Sequence, residues 1–314
     1  MDKSKRISIV VPCYNEEETV EIFYNEVTKY LDDKNDFKLI FINDGSKDKT
    51  LDIIKKLAEK DNRVLYISFS RNFGKEAAMY AGLEAAKMIK SDAMINMDVD
   101  LQDPPYLIPE LIKYHDEGYN LVITRHKNRD GEGILKKLFS LAFYKVYAFV
   151  TKDKGLSRGA RDYALLDKKV IDAFLQIRDF ERFTKGIYNF VGYKTKIVEF
   201  NYQPRVAGKT KWNFKKLFHY GVMGMREFSR FYEYIPKIFA WAFTLLLLFD
   251  IGWGVYQNIA NNVAFDYRKI VFDVAMIMIF ITLFYISRLI YDNRRQLQNR
   301  PIYLSEESNI EKED

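Results

Sequence analysis

Between Ile7 and about Thr124, short aliphatic runs alternate with amphipathic stretches. ISIVV (Ile7 to Val11), KLIFI (Lys38 to Ile42), RVLYISF (Arg63 to Phe69), AMINM (Ala93 to Met97) and NLVIT (Asn120 to Thr124) read as buried strands. Between them, Val20, Phe23, Tyr24, Val27, Tyr30 and Leu31 fall at helical spacing, as do Leu51, Ile54, Leu57 and Ala58. Strands alternating with helices predict βαβ units, hence an α/β class with a Rossmann-like, mostly parallel sheet. Beyond Thr124 the pattern loosens into a basic turn, a hydrophobic helix from Ile134 to about Val150, a strand at Asp162 to Leu166, two helices and a strand in TKIVEFNY.

The last third reads differently. Ile238 to Ile259 and Ile270 to Tyr291 are nearly uncharged, and each has the roughly 20 residues needed to cross a hydrocarbon core. Phe214 to Tyr234 mixes aromatics with Lys and Arg, as an interfacial helix does. The expected organisation is a cytoplasmic α/β domain over 1–213, a juxtamembrane amphipathic helix over 214–235, a two-helix membrane anchor over 236–291 and a cytoplasmic tail over 292–314, its acidic SEESNIEKED disordered.

The net charge of +6 does not point to nucleic acid, because the cations gather beside the apolar stretches. Lys215, Lys216, Arg226, Arg230 and Lys237 precede them, and Arg288, in the last turn of the second, is followed by Arg294, Arg295 and Arg300. An anionic membrane surface suits that pattern. Only Arg268 and Lys269 lie in the connection, so the positive-inside bias puts both termini in the cytoplasm of a multi-pass cell-membrane protein. MDKSKR followed by a short apolar run and Pro12 does not read as a signal peptide. The single cysteine, Cys13, allows no internal disulfide. Asp250, near the middle of the first stretch, needs a facing helix or a second copy of the chain, so a homo-oligomer is an expectation.

In parallel sheets the ligand crevice lies beyond the carboxyl ends of the strands. The loops there are PCYNEEE, NDGSKDKT, SRNFGKE and DVDLQDPP. The fourth offers Asp98, Asp100 and Gln102 at alternate positions, a spacing that lets three side chains point the same way along an extended segment. Hard oxygen ligands of this kind suit Mg2+ or Mn2+, with coordination positions left for phosphate and water. In the first two loops Tyr14 is suited to stacking on a base, Asp44 to accepting from a base N–H, and Glu16 to binding ribose hydroxyls. Each loop alone also reads as a plain turn, with Ser46 or Asp48 capping the next helix.

PCYNEEETV, NDGSKDKT, SRNFGKEAAMYAGLEAA and MDVDLQDPP occur in order at fitting distances, and with them the chain resembles family 2 glycosyltransferases of GT-A fold. Downstream it is similar to the branch that makes polyprenyl-phosphate sugars, such as dolichol-phosphate mannose synthase and bacterial bactoprenol glucosyltransferases. The likeness runs from about Ser8 through both apolar stretches. It implies that Pro12, Tyr14, Glu16 and Asp44 hold the nucleoside, and that Asp98, Asp100 and Gln102 hold metal and diphosphate. It also implies an acceptor-site strand in GARDYALLD around Asp162, its following helix in ERFTKG around Arg182, and a phosphate-binding segment in RVAGKTKW around Arg205 and Lys211. Lys209 there replaces the usual acidic residue.

The implied reaction is inverting transfer of one sugar from a nucleotide sugar, UDP-glucose or UDP-N-acetylglucosamine, to a polyprenyl phosphate. Two phosphates must then meet, and Arg125, Arg129, Arg205 and Lys211 are the candidate cations to offset them, arginine being suited to bidentate contact. A phosphate acceptor is already largely ionised at neutral pH. Asp162 is therefore expected to orient the acceptor or take a residual proton, and to matter less than Asp100. A processive polysaccharide synthase would carry Gln-x-x-Arg-Trp, and none of Trp212, Trp241 or Trp253 sits in one. A silent nucleotide-sugar-binding module would not need the acidic triplet. His115, His126 and His219 lack ligand spacing.

Overall fold

The computed structural model describes residues 4–127, 160–177, 182–201, 268–297 and 301–311, with scattered positions between 245 and 260. Chain contacts divide it into two compact units, one of Met1–Phe149, Asp153–Glu227 and Pro301–Asp314, the other of Val150–Lys152 and Phe228–Arg300. The expected helix at Ile134 to Val150, the juxtamembrane helix, Asp250 and most of the first apolar stretch lie outside the described residues.

The first unit is built on one eight-stranded sheet in the order β7-β5-β6-β4-β1-β2-β3-β8. Its strands are β1 (Arg6–Cys13), β2 (Asp36–Asn43), β3 (Val64–Phe69), β4 (Ala93–Asn96), β5 (Leu121–His126), β6 (Ala160–Asp167), β7 (Thr195–Phe200) and β8 (Ser305–Ser308). The β4-β1-β2-β3 block is parallel, as the unbroken apolar runs require of strands covered on both faces. β6 departs from the expected pattern by running antiparallel to both β4 and β5, and β8 is antiparallel to β3. The sheet is therefore mixed.

Helices α1 (Val20–Val27), α2 (Thr50–Lys60), α3 (Lys75–Met88), α4 (Ile108–Asp116), α5 (Lys168–Gln176) and α6 (Thr184–Phe190) accompany the strands. Ile7, Ile9, Val11, Phe23, Phe41, Ile54, Ile95, Leu111 and Tyr163 form the core on one face. On the other, α3 comes so close that a Cβ on Gly82 would lie 2.2 Å from Val10 Cγ1, so only glycine fits. Alanine-rich α3 thus lies tight over the strand order's reversal between β4 and β1, where such sheets open their crevice.

The tail is a correction. SEES is not disordered but adds β8 to the free edge of β3, where paired strands satisfy backbone groups an open edge would expose. In the second unit, α7 (Arg268–Leu297) is a 30-residue helix with Phe272, Phe280 and Ile290 exposed. Among the described residues no helix is long and apolar enough to cross a membrane.

Candidate active site

The first two loops are stitched together by side chains bonding to backbone. Asn15, in left-handed conformation at φ 51°, donates its N–H to Ser46 Oγ (2.9 Å) and accepts from Lys47 N (2.8 Å). Glu16 N donates to Thr50 Oγ1 (2.7 Å), and Lys49 N to Glu17 Oε2 (3.1 Å). Ser46 is thus spent on the neighbouring loop rather than on capping α2, whereas Asp48 does accept from Thr50 N (3.1 Å). Pro12, Tyr14 and Glu16 end half-buried at the carboxyl end of β1, and Thr19 Oγ1 donates to Glu16 Oε2 (2.8 Å).

Asp44 ties the second loop to the third. Its buried carboxylate accepts from Phe73 N (2.6 Å), Gly74 N (2.9 Å) and Asn72 Nδ2 (2.9 Å). Three of about four acceptor sites are used, leaving room for one further N–H such as that of a base. Burial raises its pKa to about 6, against the pull of the two backbone N–H groups and Arg71. Beside it, Gly45 has φ +63° and a Cβ there would lie 2.3 Å from Arg71 C, so the two loops meet backbone to backbone.

The fourth loop is a turn, which corrects the alternation argument. β4 ends at Asn96, Leu101 takes φ 58°, and Asp100 Oδ1 accepts from Gln102 N (3.1 Å). Asp98, Asp100 and Gln102 are still presented by one short segment. A left-handed leucine is strained, and such strain gathers at functional sites. Among the described residues there is no cluster of three or more His, Cys, Asp or Glu side chains fit to hold a metal by themselves.

What surrounds Asp98 is an array of ion pairs. Lys75 Nζ lies 2.6 Å from Asp98 Oδ1 and 2.8 Å from Asp162 Oδ2. Lys185 Nζ is 4.0 Å from Asp162 Oδ1. Arg161 donates to Asp103 Oδ1 through Nε (3.1 Å) and a terminal nitrogen (2.9 Å), and Asp98 N donates to Asp103 Oδ2 (3.2 Å). The alternation of β6 explains the division of labour: Arg161 and Tyr163, two apart, reach the fourth loop, Tyr163 donating to Pro104 O (3.1 Å), while Asp162 turns to α3. Burial would lift the Asp162 pKa, but Lys75, Lys185 and Arg161 hold it well below the usual carboxylate range. Burial would lower the Lys75 pKa in turn, but Asp162 and Asp98 raise it and keep the ammonium charged. Asp162 Oδ1 accepts no hydrogen bond from any described residue.

Pro12, Tyr14, Glu16, Asp44, Asp98, Asp100, Gln102 and Asp162 thus all fall on one sheet edge. Arg125 lies on β5, which β6 separates from β4, and among the described residues it pairs with Glu199 on β7. Arg129, Arg205 and Lys211 lie outside the described residues. Lys75, Asp103, Arg161 and Lys185 are residues the sequence reading missed. One signal was available for Lys75, since a cation in the first turn of a helix opposes the macrodipole and calls for anionic partners.

A mixed α/β sheet whose carboxyl edge joins a polar loop pair to a cluster of carboxylates and cations is the frame of a GT-A-like transferase. The chain belongs to glycosyl transferase family 2, whose model matches residues 8–175, and it is a glycosyltransferase. It is 36% identical over 327 residues to a Bacillus subtilis (strain 168) protein provisionally named glycosyltransferase CsbB, covering 99% of this chain and 94% of that one. It is 40% identical over 227 residues to a prophage bactoprenol glucosyl transferase homolog of Escherichia coli K12, covering 72% and 73%. Mannosyl-3-phosphoglycerate synthase of Rubrobacter xylanophilus shares the fold at TM-score 0.50 and 16% identity, over 71% of this chain and 72% of its own.

Proposed function

We propose that the protein transfers a single sugar from a nucleotide sugar to a polyprenyl phosphate at the cytoplasmic face of a membrane, inverting the anomeric carbon. The observation that carries this is the joining of the fourth loop to the β6 carboxylate through Lys75, at the reversal of strand order. Relatives named for bactoprenol glucosyl transfer support a lipid phosphate acceptor and a glucose donor.

Asp98 and Asp100, with the Gln102 amide, form a hard-oxygen set on one turn and fit Mg2+ or Mn2+. Such an ion neutralises charge on a departing diphosphate when bound. The first three loops hold the nucleoside. Asp162, engaged by Lys75 at 2.8 Å and held anionic, positions the acceptor and the cations around it rather than serving as base. A phosphate oxygen needs no deprotonation at neutral pH to attack. Arg161 and Lys185, and from outside the described residues Arg205 and Lys211, supply charge against the two phosphates.

Taken whole, Ile270 to Tyr291 carries only Asp273 and Arg288 as charges, which supports a membrane span with a second at Ile238 to Ile259 and both termini cytoplasmic. The test is purified full-length protein with Mn2+, polyprenyl phosphate and a panel of radiolabelled UDP- and GDP-sugars. A labelled lipid with one donor is the expected result. No labelled lipid with any donor sinks the proposal.

A further inference from the structure

The segment after α7 does more than cover an edge. Asn309 accepts from Tyr66 N (2.7 Å) and donates to Val64 O (3.3 Å), while Glu307 pairs with Lys55 of α2 (2.7 Å), so this end grips the amino-terminal half of β3 and the helix before it. The other end reaches the carboxyl end of β3, at a register irregularity between Ser68 and Phe69. There Ser70 N donates to Leu304 O (3.1 Å), the Tyr303 ring stacks on Phe69 (4.6 Å between centroids), and Tyr303 OH donates to Glu84 Oε2 (2.7 Å). Phe69 in turn meets Phe73 edge-on (5.8 Å), and Phe73 N bonds Asp44.

We infer that Tyr303 is a positioning residue for the nucleotide donor: through Phe69 and Phe73 it fixes the third loop, and with it the Asp44 carboxylate. Tyr303 touches no proposed ligand contact itself and acts over two ring contacts. This extends the reading that the first three loops hold the nucleoside.

The two ends of the segment give a matched pair of variants in the full-length protein. Tyr303→Ala is expected to speed hydrogen exchange of the amides at 70–74 and to weaken UDP binding in Mn2+ by about tenfold, the scale of a small displacement at a binding group. Donor KM should rise with it, with the acceptor KM and the kcat at saturating donor unchanged. Asn309→Ala should lower the melting temperature yet leave UDP affinity alone. Tyr303→Leu, which retains apolar cover, serves if the alanine variant does not fold and should show the same changes, smaller. Unchanged exchange at 70–74 in a folded Tyr303 variant overturns the inference, as does an equal loss of UDP affinity in Asn309→Ala. Absence of UDP binding by the unaltered protein would refute the donor reading instead, and the exchange measurement alone would then decide whether Tyr303 holds the loop.

Discussion

The two halves of the catalytic edge are held by opposite means. On the β1–β2–β3 side, loops are fastened by hydrogen bonds that backbone amides donate to neutral side chains and to the Asp44 carboxylate: Asn15 to Ser46 and Lys47, Glu16 N to Thr50, Phe73 N and Gly74 N to Asp44. On the β4–β6 side, the fasteners are charges, with Lys75, Arg161 and Lys185 set among Asp98, Asp103 and Asp162. Short directional bonds fix shape, which suits recognition of an invariant nucleoside. Ion pairs can be exchanged for others of similar energy, which suits a place where metal, diphosphate and acceptor phosphate come and go. The contrast predicts that substitutions on the charged side reduce turnover, whereas those on the neutral side reduce donor affinity.

The strongest test of the charged half is Asp100→Asn, expected to lower kcat/KM by roughly 10³-fold, the several kcal/mol a bound divalent ion contributes. Asp162→Asn should cost less, about tenfold, because it removes an anion that positions rather than a proton acceptor. Equal losses under saturating metal and donor would break that ranking and return Asp162 to the role of base.

Lys75→Met comes next. It leaves Asp98 and Asp162 facing each other without their shared cation. We expect about 10²-fold lower turnover and a stability loss of about 3 kcal/mol by urea unfolding, the lower end for breaking a buried ion pair because both carboxylates keep some solvent contact. Metal affinity in the absence of nucleotide should rise, since the competing ammonium at Asp98 is gone. If instead metal affinity falls with stability, Lys75 is merely a strut, and the distinction between exchangeable and fixed fasteners fails.

On the neutral half, Gly45→Ala forces a side chain against the Arg71 backbone at a positive φ. A cost of about 1–3 kcal/mol is expected, with UDP affinity falling more than kcat. A variant that binds UDP normally would show the second and third loops to be separable.

Much of this was legible in the chain itself. Continuous aliphatic runs such as ISIVV mark strands buried on both faces, and the polar loops following them could be assigned to one edge from βα alternation alone. The charged network was not, because Lys75, Asp103 and Arg161 come from three segments and become partners only when β6 inserts antiparallel beside β4. The strand direction depends on a long connection whose course the periodicity does not reveal. SEES misled for a related reason: four polar residues carry no strand pattern, and only the free edge of β3 makes them one. Arg125, a candidate phosphate ligand by position, has Glu199 as a partner across the β5–β7 pair, a pairing the periodicity does not reveal.

The smallest expected effect is one of pH, and it touches both halves. With a folded pKa of about 6, Asp44 binds its proton more tightly than an unfolded carboxyl titrating near 4. The folded state therefore holds more protons between those values, and Asp44's contribution to stability falls as pH rises from about 4 to about 6. Donor binding should move the other way. Protonation turns one carboxyl oxygen into a donor facing Phe73 N or Gly74 N, so the third loop slackens below pH 6 and binding of a UDP-sugar weakens a few-fold. Asp103 on the charged half is raised to the same range, so the wild-type profile alone does not assign the step. Asp44→Asn keeps a single acceptor oxygen, and should bind the donor more weakly throughout, with no change between pH 5 and 7. A step that survives in Asp44→Asn and disappears in Asp103→Asn would put the pH-sensitive fastener among the ion pairs, against the division drawn above.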